Sequence, residues 1–451
     1  MQTAHTSARK TASQHNYIGT TVQIIDDKAL LVKVRDPQRI TAAIRNSKQV
    51  NEHEVLVKWG LDEAQVLSKI LSKVPSPISR QYKWPGLLKP FKHQNDTAAF
   101  LTLNKRAFCF NEQGTGKTAS AIWAADYLME QGRIRRVLVL CPLSIMQSAW
   151  ENDLFRFATH RSCAIAHSYS KEKRIQAIES GAEFVICNFD GLDIVKDAVV
   201  KGGFDLVIID ECNAYKNVST KRWKVLNQIL TPTTWVWMMT GTPAAQSPTD
   251  AYGIAKIVNP NGVPKFFGAF RDQVLTKVSR FRWVPRPQSQ QIVHNALQPA
   301  IRFTKDQCLD LPEMTYVMRD IPLTPQQEKY YEDIRKQMMT VAAGEEITAV
   351  NAAATLNKLL QLSCGAVYSD TGEIIAFDAK NRMKVLLEVI EEASQKVIIF
   401  APYRHAIEII AEELKAQGIP AEIVNGAVPA SKRADIFKKF QETPNPRVLV
   451  V

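Results

Sequence analysis

The chain has 451 residues, of which 45% are hydrophobic, and its formal net charge is +12. This size predicts two to four cored domains, and the positive charge favours a polyanionic partner. Seven widely spaced cysteines without a C-x-x-C pair argue against a zinc site and for a reducing compartment, and no stretch predicts a membrane span or a secretory signal, so we expect a cytoplasmic protein.

The N-terminal part predicts a tail followed by a small α+β domain. Residues 1–16 are polar and rich in Ser, Thr and His, which is typical of disorder. Over residues 17–78, two strands flank the turn at Asp26-Asp27, and a helix, a strand and a second helix follow. This domain shows no catalytic constellation. We interpret it either as a module that recognises DNA or docks a protein, or as a brace for the next domain.

Residues 79–262 alternate strand and helix patterns, which predicts a doubly wound α/β domain. Inside it, residues 111–118 read Asn-Glu-Gln-Gly-Thr-Gly-Lys-Thr and lie between an apolar run and a helical pattern. Strand, Gly-rich turn and helix in this order are the context of a phosphate-binding loop. Asn111 stands where the full pattern has a glycine, so the prediction needs support from elsewhere in the chain.

Each residue of the Gly-rich turn has an expected task. Gly114 and Gly116, with Thr115 between them, would let backbone N–H groups curl around phosphate oxygens at a helix N-terminus. Lys117 would reach the outer phosphates, and the hydroxyl of Thr118 would ligate Mg²⁺. The segment therefore predicts a nucleotide site.

Two later strands end in polar residues. Residues 206–211 read Leu-Val-Ile-Ile-Asp-Glu, which predicts a buried parallel strand with its carboxylates at the C-terminal end. Asp210 would hold Mg²⁺, directly or through water, and Glu211 would orient and deprotonate an attacking water. A third strand ends in the hydroxyls of Thr240 and Thr242. With the phosphate loop, these residues predict a nucleotide and Mg²⁺ as ligands.

The remaining residues predict an insertion and a second α/β unit. Residues 263–378 begin with irregular aromatic and Pro-rich stretches, and helical periodicity then runs from 325 to 362. Residues 379–451 return to strand and helix patterns and end in an apolar strand.

The order of these segments resembles the Swi/Snf family of DNA translocases within the superfamily-two helicases. The similarity includes Asp-Glu-Cys-Asn from Asp210, where the family usually has Asp-Glu-x-His, so that Asn213 replaces the usual histidine. Asn can still hydrogen-bond across the lobe. Further segments follow the family order: Phe-Lys-His-Gln at 91–94, Val-Leu-Val-Leu-Cys-Pro-Leu-Ser at 137–144, Lys216-Asn217, Thr-Gly-Thr-Pro at 240–243, the arginine segment from Arg302, and Lys-Val-Ile-Ile-Phe at 396–400.

The resemblance implies tandem RecA-like P-loop lobes, each a parallel sheet with flanking helices. Lobe one, which binds ATP, is expected over residues 79–262, a Swi/Snf-type helical insertion over 263–378 and an incomplete lobe two over 379–451. No residue matches the arginines of the family's motif VI. We therefore expect the chain to be a C-terminally truncated piece of a longer ATPase, weakly active alone.

The resemblance also assigns residue roles. Gln94 falls in the motif that reads adenine. The residues expected at the nucleic acid are Pro142, Ser144, Asn188, Lys216, Thr240 and Thr242.

The implied function is that of an ATP-dependent DNA translocase or helicase. It would act as a monomer on duplex or branched DNA without sequence preference, in a bacterial or phage-infected cell, with replication or recombination proteins as candidate partners. Two alternatives stay open. One is a nucleotide-gated nucleic-acid-binding protein without efficient hydrolysis, favoured by the missing arginines and by Asn213. The other is an RNA helicase, disfavoured by the long insertion after Pro260.

Overall fold

The computed structural model describes residues 20–451 except 87, 280–281, 311, 313, 345–348 and 370–372, and it describes only the backbone of 337–344, 349–353 and 430–431. The tail predicted over residues 1–16 lies outside the described residues. The chain divides into two compact units, the first ending at Pro312 and the second extending to Val451. Within the described ranges, no helix has the length and apolar character needed to cross a bilayer.

The first unit begins with a small antiparallel sheet and two helices. Its elements are β1 (Thr21–Ile25), β2 (Ala29–Lys33), α1 (Pro37–Ala43), β3 (Ser47–Gln49), β4 (Glu54–Lys58) and α2 (Leu61–Ser68). The strands lie in the order β1-β2-β4-β3. Alternate residues of β2 and β4, among them Val32 and Val55, are fully buried, so one face of the sheet forms the core with the helices. The predicted hairpin is present, whereas β3 was not predicted because its three residues are polar.

A seven-stranded parallel sheet follows. This part of the first unit consists of α3 (Ile78–Gln81), α4 (Lys92–Leu103), β5 (Arg106–Cys109), α5 (Lys117–Glu130), β6 (Val137–Cys141), α6 (Asn152–Phe157), β7 (Cys163–Ile165), α7 (Lys171–Glu179), β8 (Phe184–Asn188), α8 (Gly191–Lys201), β9 (Leu206–Asp210), α9 (Lys221–Ile229), β10 (Trp235–Met239), α10 (Ala251–Val258), α11 (Phe267–Val274), β11 (Leu275–Lys277), β12 (Trp283–Pro285), α12 (Ser289–Ala296), β13 (Ala300–Ile301) and α13 (Lys305–Cys308). β11 and β12 pair with each other in a separate antiparallel ribbon. The strand order is β13-β5-β10-β9-β6-β8-β7.

Helices cover both faces of this sheet, which explains why its central strands are apolar throughout. In β6, Leu138 and Leu140 join one hydrophobic cluster, whereas Val137 and Val139 join the cluster on the opposite face. The predicted doubly wound architecture is confirmed.

The sheet extends beyond residue 262, where the sequence placed the end of lobe one. β13 pairs in parallel with β5, and the N–H groups of Phe108 and Phe110 donate to the carbonyls of Pro299 and Ile301 at 3.0 and 2.8 Å. A strand of two residues after a long irregular segment carries no recognisable period, so sequence patterns assigned it to the insertion.

The second unit contains long helices followed by a parallel α/β layer. Its elements are α14 (Pro325–Gly344), α15 (Ala349–Ser363), β14 (Ala366–Tyr368), β15 (Ile374–Ala376), α16 (Lys380–Glu392), β16 (Val397–Ile399), α17 (Arg404–Ala416), β17 (Ala421–Ile423), α18 (Ala430–Glu442) and β18 (Val448–Val450). The parallel sheet has the order β16-β18-β17. Its core includes the fully buried Val448, Val450 and Leu414. The helices predicted from 325 to 362 and the later α/β pattern are therefore present.

Candidate active site

The parallel strands of the large sheet bring most predicted site residues to one edge. Because all its strands run in the same direction, their carboxyl ends lie side by side. That edge carries the phosphate loop after β5, Asp210 at the end of β9, Thr240 after β10, Pro142 after β6 and Asn188 at the end of β8.

The phosphate loop has the backbone that an anion site requires. Gly114 and Gly116 have φ of 81° and 78°, a left-handed conformation that residues with a Cβ rarely adopt, and α5 begins immediately after them at Lys117. The ammonium of Lys117 donates to the carbonyl of Glu112 at 3.2 Å, and the hydroxyl of Thr115 donates to the same carbonyl at 2.7 Å. Free N–H groups at a helix N-terminus and a nearby cation suit a phosphate.

Gln94 lies directly against this loop. Its amide nitrogen donates to the carbonyl of Thr115 at 3.3 Å, and its amide oxygen accepts from the N–H of Phe91 at 3.0 Å. A Cβ at Gly116 would lie 2.1 Å from the amide nitrogen of Gln94, so this glycine also gives the glutamine room. Both amide atoms already have a partner in the protein.

Two residues beside Gln94 belong to the segment that resembles the family motif but received no role of their own from the sequence. The ring of Phe91 is 62% exposed and stacks on the imidazole of His93 with centroids 5.9 Å apart. The Nε2 atom of His93 hydrogen-bonds to the carbonyl of Thr115 at 2.8 Å. An exposed ring next to the phosphate loop offers a face for a nucleobase.

The unusual Asn111 has a structural explanation. Its side chain is completely buried, and its amide nitrogen donates to the hydroxyl of Thr97 on α4 at 2.8 Å. Its amide oxygen accepts from the N–H of Phe303, just after β13, at 3.0 Å. Asn111 thus links the helix of Gln94, the phosphate loop and the edge strand, which a glycine could not do.

Asp210 is held by two N–H donors. The indole N–H of Trp150 donates to one carboxylate oxygen at 3.1 Å, and the N–H of Glu211 donates to the other at 3.0 Å. Burial raises the pKa of Asp210, and the hydrogen bond from Trp150 opposes this shift. Trp150 lies in a π-helical turn, Met146–Glu151. No local sequence pattern indicates that this indole reaches the carboxylate.

A chain of hydrogen bonds orients Glu211. The hydroxyl of Thr240 donates to the carboxylate of Glu211 at 3.1 Å and accepts from the amide of Asn213 at 3.2 Å. The same amide donates to the carbonyl of Thr242 at 3.0 Å. The expected hydrogen bond from Asn213 across the lobe is therefore confirmed.

Of the six residues predicted at the nucleic acid, Thr240 and Lys216 have side chains that are hydrogen-bonded or paired inside the lobe. Thr240 is buried against Glu211, and the ammonium of Lys216 lies 3.2 Å from the carboxylate of Asp250 and 2.8 Å from the side-chain oxygen of Gln246. Ser144 and Thr242 are exposed, Pro142 is half-buried, and Asn188 ends β8 at the same edge. A role of all six at the nucleic acid stays a prediction.

One other group of possible metal ligands occurs among the described residues, formed by Asp126, Glu130 and His160. The buried carboxylate of Asp126 already accepts hydrogen bonds from the hydroxyl of Tyr82 and from the guanidinium of Arg161. Because the guanidinium of Arg161 and the hydroxyl of Tyr82 already bind the carboxylate oxygens, we interpret the group as an ion-pair network. It holds Tyr82, in the segment between α3 and α4, against α5.

Comparison with known proteins gives consistent matches. Residues 93–364 match the family model described as the SNF2-related domain, and residues 381–451 match the helicase conserved C-terminal domain. The chain is 26% identical over 357 residues to "Chromodomain-helicase-DNA-binding protein 1-like" of Mus musculus, covering 74% of this chain and 38% of that protein.

A second relative covers more of the chain. The "SWI/SNF-related matrix-associated actin-dependent regulator of chromatin subfamily A-like protein 1" of Xenopus laevis is 23% identical over 430 residues, which are 90% of this chain and 41% of that protein. The chain thus spans only about two fifths of the length of these relatives, 38% and 41%. A solved structure, "Sulfolobus solfataricus SWI2/SNF2 ATPase core in complex with dsDNA", matches with 20% identity and a TM-score of 0.45, covering 81% of this chain and 78% of that chain.

Proposed function

The chain belongs to the SNF2-related domain family, and from this membership and the geometry of the sheet edge we propose that it hydrolyses ATP to move along DNA. The observation that carries the proposal is the orientation of Glu211 by Thr240, next to Asp210 and on the same edge as the phosphate loop. A carboxylate held in this way is suited to accept a proton from water.

ATP would bind with its phosphates at the N-terminus of α5. The backbone N–H groups of residues 114–118 would donate to phosphate oxygens. The ammonium of Lys117 would leave the carbonyl of Glu112 and contact phosphate oxygens instead. The base would lie beside Gln94 and the exposed ring of Phe91. In this arrangement Gln94 gives up a protein partner when it binds adenine.

The donor set also fits Mg²⁺, which prefers oxygen ligands. The hydroxyl of Thr118 and the carboxylate of Asp210 would hold the ion, which neutralises charge on the phosphates when it is bound. Ionised Asp210 is the form that binds a cation, so the cation would offset the burial that raises the pKa of this group.

Hydrolysis would use Glu211 as the base. A water oxygen forms a bond to the γ-phosphorus, the bond to the ADP oxygen breaks, and Glu211 accepts the proton of the water. Because Asn213 and Thr242 share the hydrogen-bond chain of Glu211, a shift of the exposed Thr242 would reach the catalytic carboxylate. This chain is a physical route by which DNA could change the rate of hydrolysis.

The partner would be the DNA backbone rather than particular bases. A net charge of +12 favours phosphates, and backbone contacts give affinity that is independent of sequence and falls steeply with salt. We retain as predictions that the protein acts as a monomer in the cytoplasm and works with replication or recombination proteins. One argument for a binding protein without hydrolysis was that Asn213 stands where the family usually has histidine. This argument is weakened, because Asn213 still donates a hydrogen bond to the hydroxyl of Thr240.

The test is ATP turnover with blunt duplex DNA, with duplex RNA and without nucleic acid. We expect duplex DNA to stimulate turnover, Lys117→Ala to abolish ATP binding, and Glu211→Gln to retain binding but lose turnover. Lys201→Ala, on an exposed lysine at the far end of α8, is the matched control. Turnover that is negligible with and without DNA in a version extended through the family's motif VI arginines would contradict the proposal, and stimulation by RNA alone would favour an RNA helicase.

A further inference from the structure

The loop between β7 and α7 presents an aromatic ring to solvent at the same edge of the sheet. β7 is the outermost strand, next to β8, so this loop continues the row of residues that includes Pro142 and Asn188. The side chain of Tyr169 in this loop is fully exposed. A large ring without packing contributes little to the core and offers a flat face on which a base can stack.

Arg174 ties this loop to the end of β8. Its Nε donates to the carbonyl of Ser168 at 2.6 Å, which fixes the residue before Tyr169. The other end of the guanidinium lies at Gly191, where an added Cβ would be 2.9 Å from Nη1 of Arg174 and 2.3 Å from Oδ1 of Asn188. The missing side chain of Gly191 therefore lets Arg174 and Asn188 approach one another. The loop and the predicted nucleic-acid residue Asn188 are therefore neighbours at this edge of the sheet.

The residues around the ring are mainly basic. His167, Lys171 and Lys173 are exposed, and the carboxylate of Glu172 accepts a hydrogen bond from the hydroxyl of Ser170 at 2.6 Å. That hydroxyl also accepts from the N–H of Lys173 at 3.2 Å and caps α7, which fixes the loop relative to the helix. An exposed ring followed within four residues by two exposed lysines matches the chemistry of a nucleotide, a flat base attached to a phosphate.

We propose that Tyr169 stacks on an unpaired base while Lys171 and Lys173 contact the adjoining phosphates, so that this loop forms the outer end of the nucleic-acid path. The inference rests on the proposed function and adds to it a preference for DNA that contains unpaired nucleotides over continuous duplex. In a continuous duplex both faces of each base are covered by neighbouring bases, so a protein ring has no free face to stack on. At a fork, gap or overhang such faces are free.

The test measures the affinity of the full chain for a blunt duplex and for the same duplex carrying single-stranded arms. Tyr169→Ala is expected to weaken binding to the armed DNA by roughly 5- to 100-fold, the range that loss of one base–aromatic stack gives, and to change binding to the blunt duplex by less than about twofold. Tyr169→Phe keeps the ring and should restore the affinity.

Phe155→Ala is the matched control, because Phe155 is also exposed but lies on α6, which leads back to the opposite edge of the sheet. It should bind both DNAs like the unaltered protein. Removing Lys171 and Lys173 together should lower the slope of log affinity against log salt on the armed DNA, by about 0.7 for each lost contact to a single strand.

The outcomes separate this inference from the proposed function. If duplex DNA stimulates ATP turnover but Tyr169→Ala binds both DNAs like the control, the proposed function stands and the role of Tyr169 is wrong. If neither DNA binds or stimulates turnover, the proposed function itself fails. Equal weakening on both DNAs would show that the ring contributes to general docking and would overturn the preference for unpaired bases.

Discussion

Asn111 links three segments that are distant in sequence. Its amide joins Thr97 on α4 to Phe303 after β13, and the second contact spans 192 residues. Replacement by alanine would leave the partly buried N–H of Phe303 without its partner. A buried donor without a partner lowers stability by about 1–3 kcal/mol.

We therefore expect Asn111→Ala to lower the free energy of unfolding by about that amount and to weaken ATP binding, because the phosphate loop loses its anchor. Urea denaturation and an ATP titration would measure both effects. Gln113→Ala, on an exposed residue of the same loop, should change neither by much. An Asn111→Ala protein as stable as this control would show that the two hydrogen bonds do not hold the loop.

Residue roles that depend on spacing along the chain could be predicted, whereas those that depend on distant contacts could not. Gly114, Gly116 and Lys117 lie close together in a pattern that is typical of phosphate-binding loops. The buried strand before Asp210 is evident from its apolar residues. Trp150 contacts Asp210, which is 60 residues away in the sequence, and no local pattern predicts such a contact. The role of the exposed Phe91 could not be predicted for a related reason, because it depends on the phosphate loop that lies next to this ring in the fold.

At the scale of elements, the π-helical turn Met146–Glu151 connects two predicted sites. It follows Pro142 and Ser144, expected at the nucleic acid, and it carries Trp150, whose indole holds Asp210. π-turns are rare and are often found at functional sites. A DNA strand that moves this turn would also move the hydrogen bond to the proposed Mg²⁺ ligand.

Trp150→Phe preserves the apolar ring and removes the indole N–H. Loss of a hydrogen bond to a metal ligand commonly lowers metal affinity or activity by roughly 10- to 100-fold, and we expect such a loss in Mg²⁺-dependent turnover with DNA present. Turnover measured against Mg²⁺ concentration is the readout, and excess Mg²⁺ should restore part of it. Trp235→Phe, a partly buried tryptophan of β10, is the control. Unchanged Mg²⁺ dependence would show that the indole only fills space.

Helix α6 carries a carboxyl group that makes stability depend on pH. Burial raises the pKa of Asp153 from 3.8 to about 6, and Arg156 opposes the shift. Between these values the folded protein holds a proton that the unfolded chain has released, so this group's contribution to stability declines as pH rises and is lowest above pH about 6.

Asp153→Asn should therefore stabilise the protein at pH about 8, by about 1–2 kcal/mol once solvent screening is allowed for, and have little effect near pH 4. Unfolding by urea at both pH values measures the difference. Asp197→Asn, at an exposed acid of α8, serves as the control. A gain that is equal at both pH values would show that packing rather than charge accounts for it.

At the scale of the whole molecule, the main architecture followed from the sequence and one boundary did not. The strands of the large sheet are covered on both faces, so their continuous apolar runs made the lobe recognisable. β13 has two residues and depends on β5 for its conformation, so nothing local distinguished it from the irregular segment before it. The first lobe consequently takes in a segment that the sequence placed in the insertion.

This boundary can be tested with two fragments that begin at residue 20 and end at 312 or at 298. The longer fragment contains all seven strands and the segment that bonds to Asn111, so we expect it to fold and bind ATP. The shorter one keeps α11 and α12 but lacks β13. It loses the backbone bonds to Phe108, Phe110 and Glu112, which together contribute roughly 3 kcal/mol at about 1 kcal/mol each.

We expect the fragment ending at 298 to be less stable by about that amount and to bind ATP more weakly, because Glu112 and Asn111 of the phosphate loop both contact the lost segment. Urea denaturation and ATP titration of the two fragments provide the comparison. A third fragment, ending at the predicted boundary of 262, should be no more stable than the one ending at 298. If all three were equally stable and bound ATP equally, the edge strand would be dispensable and lobe one would end where the sequence placed it.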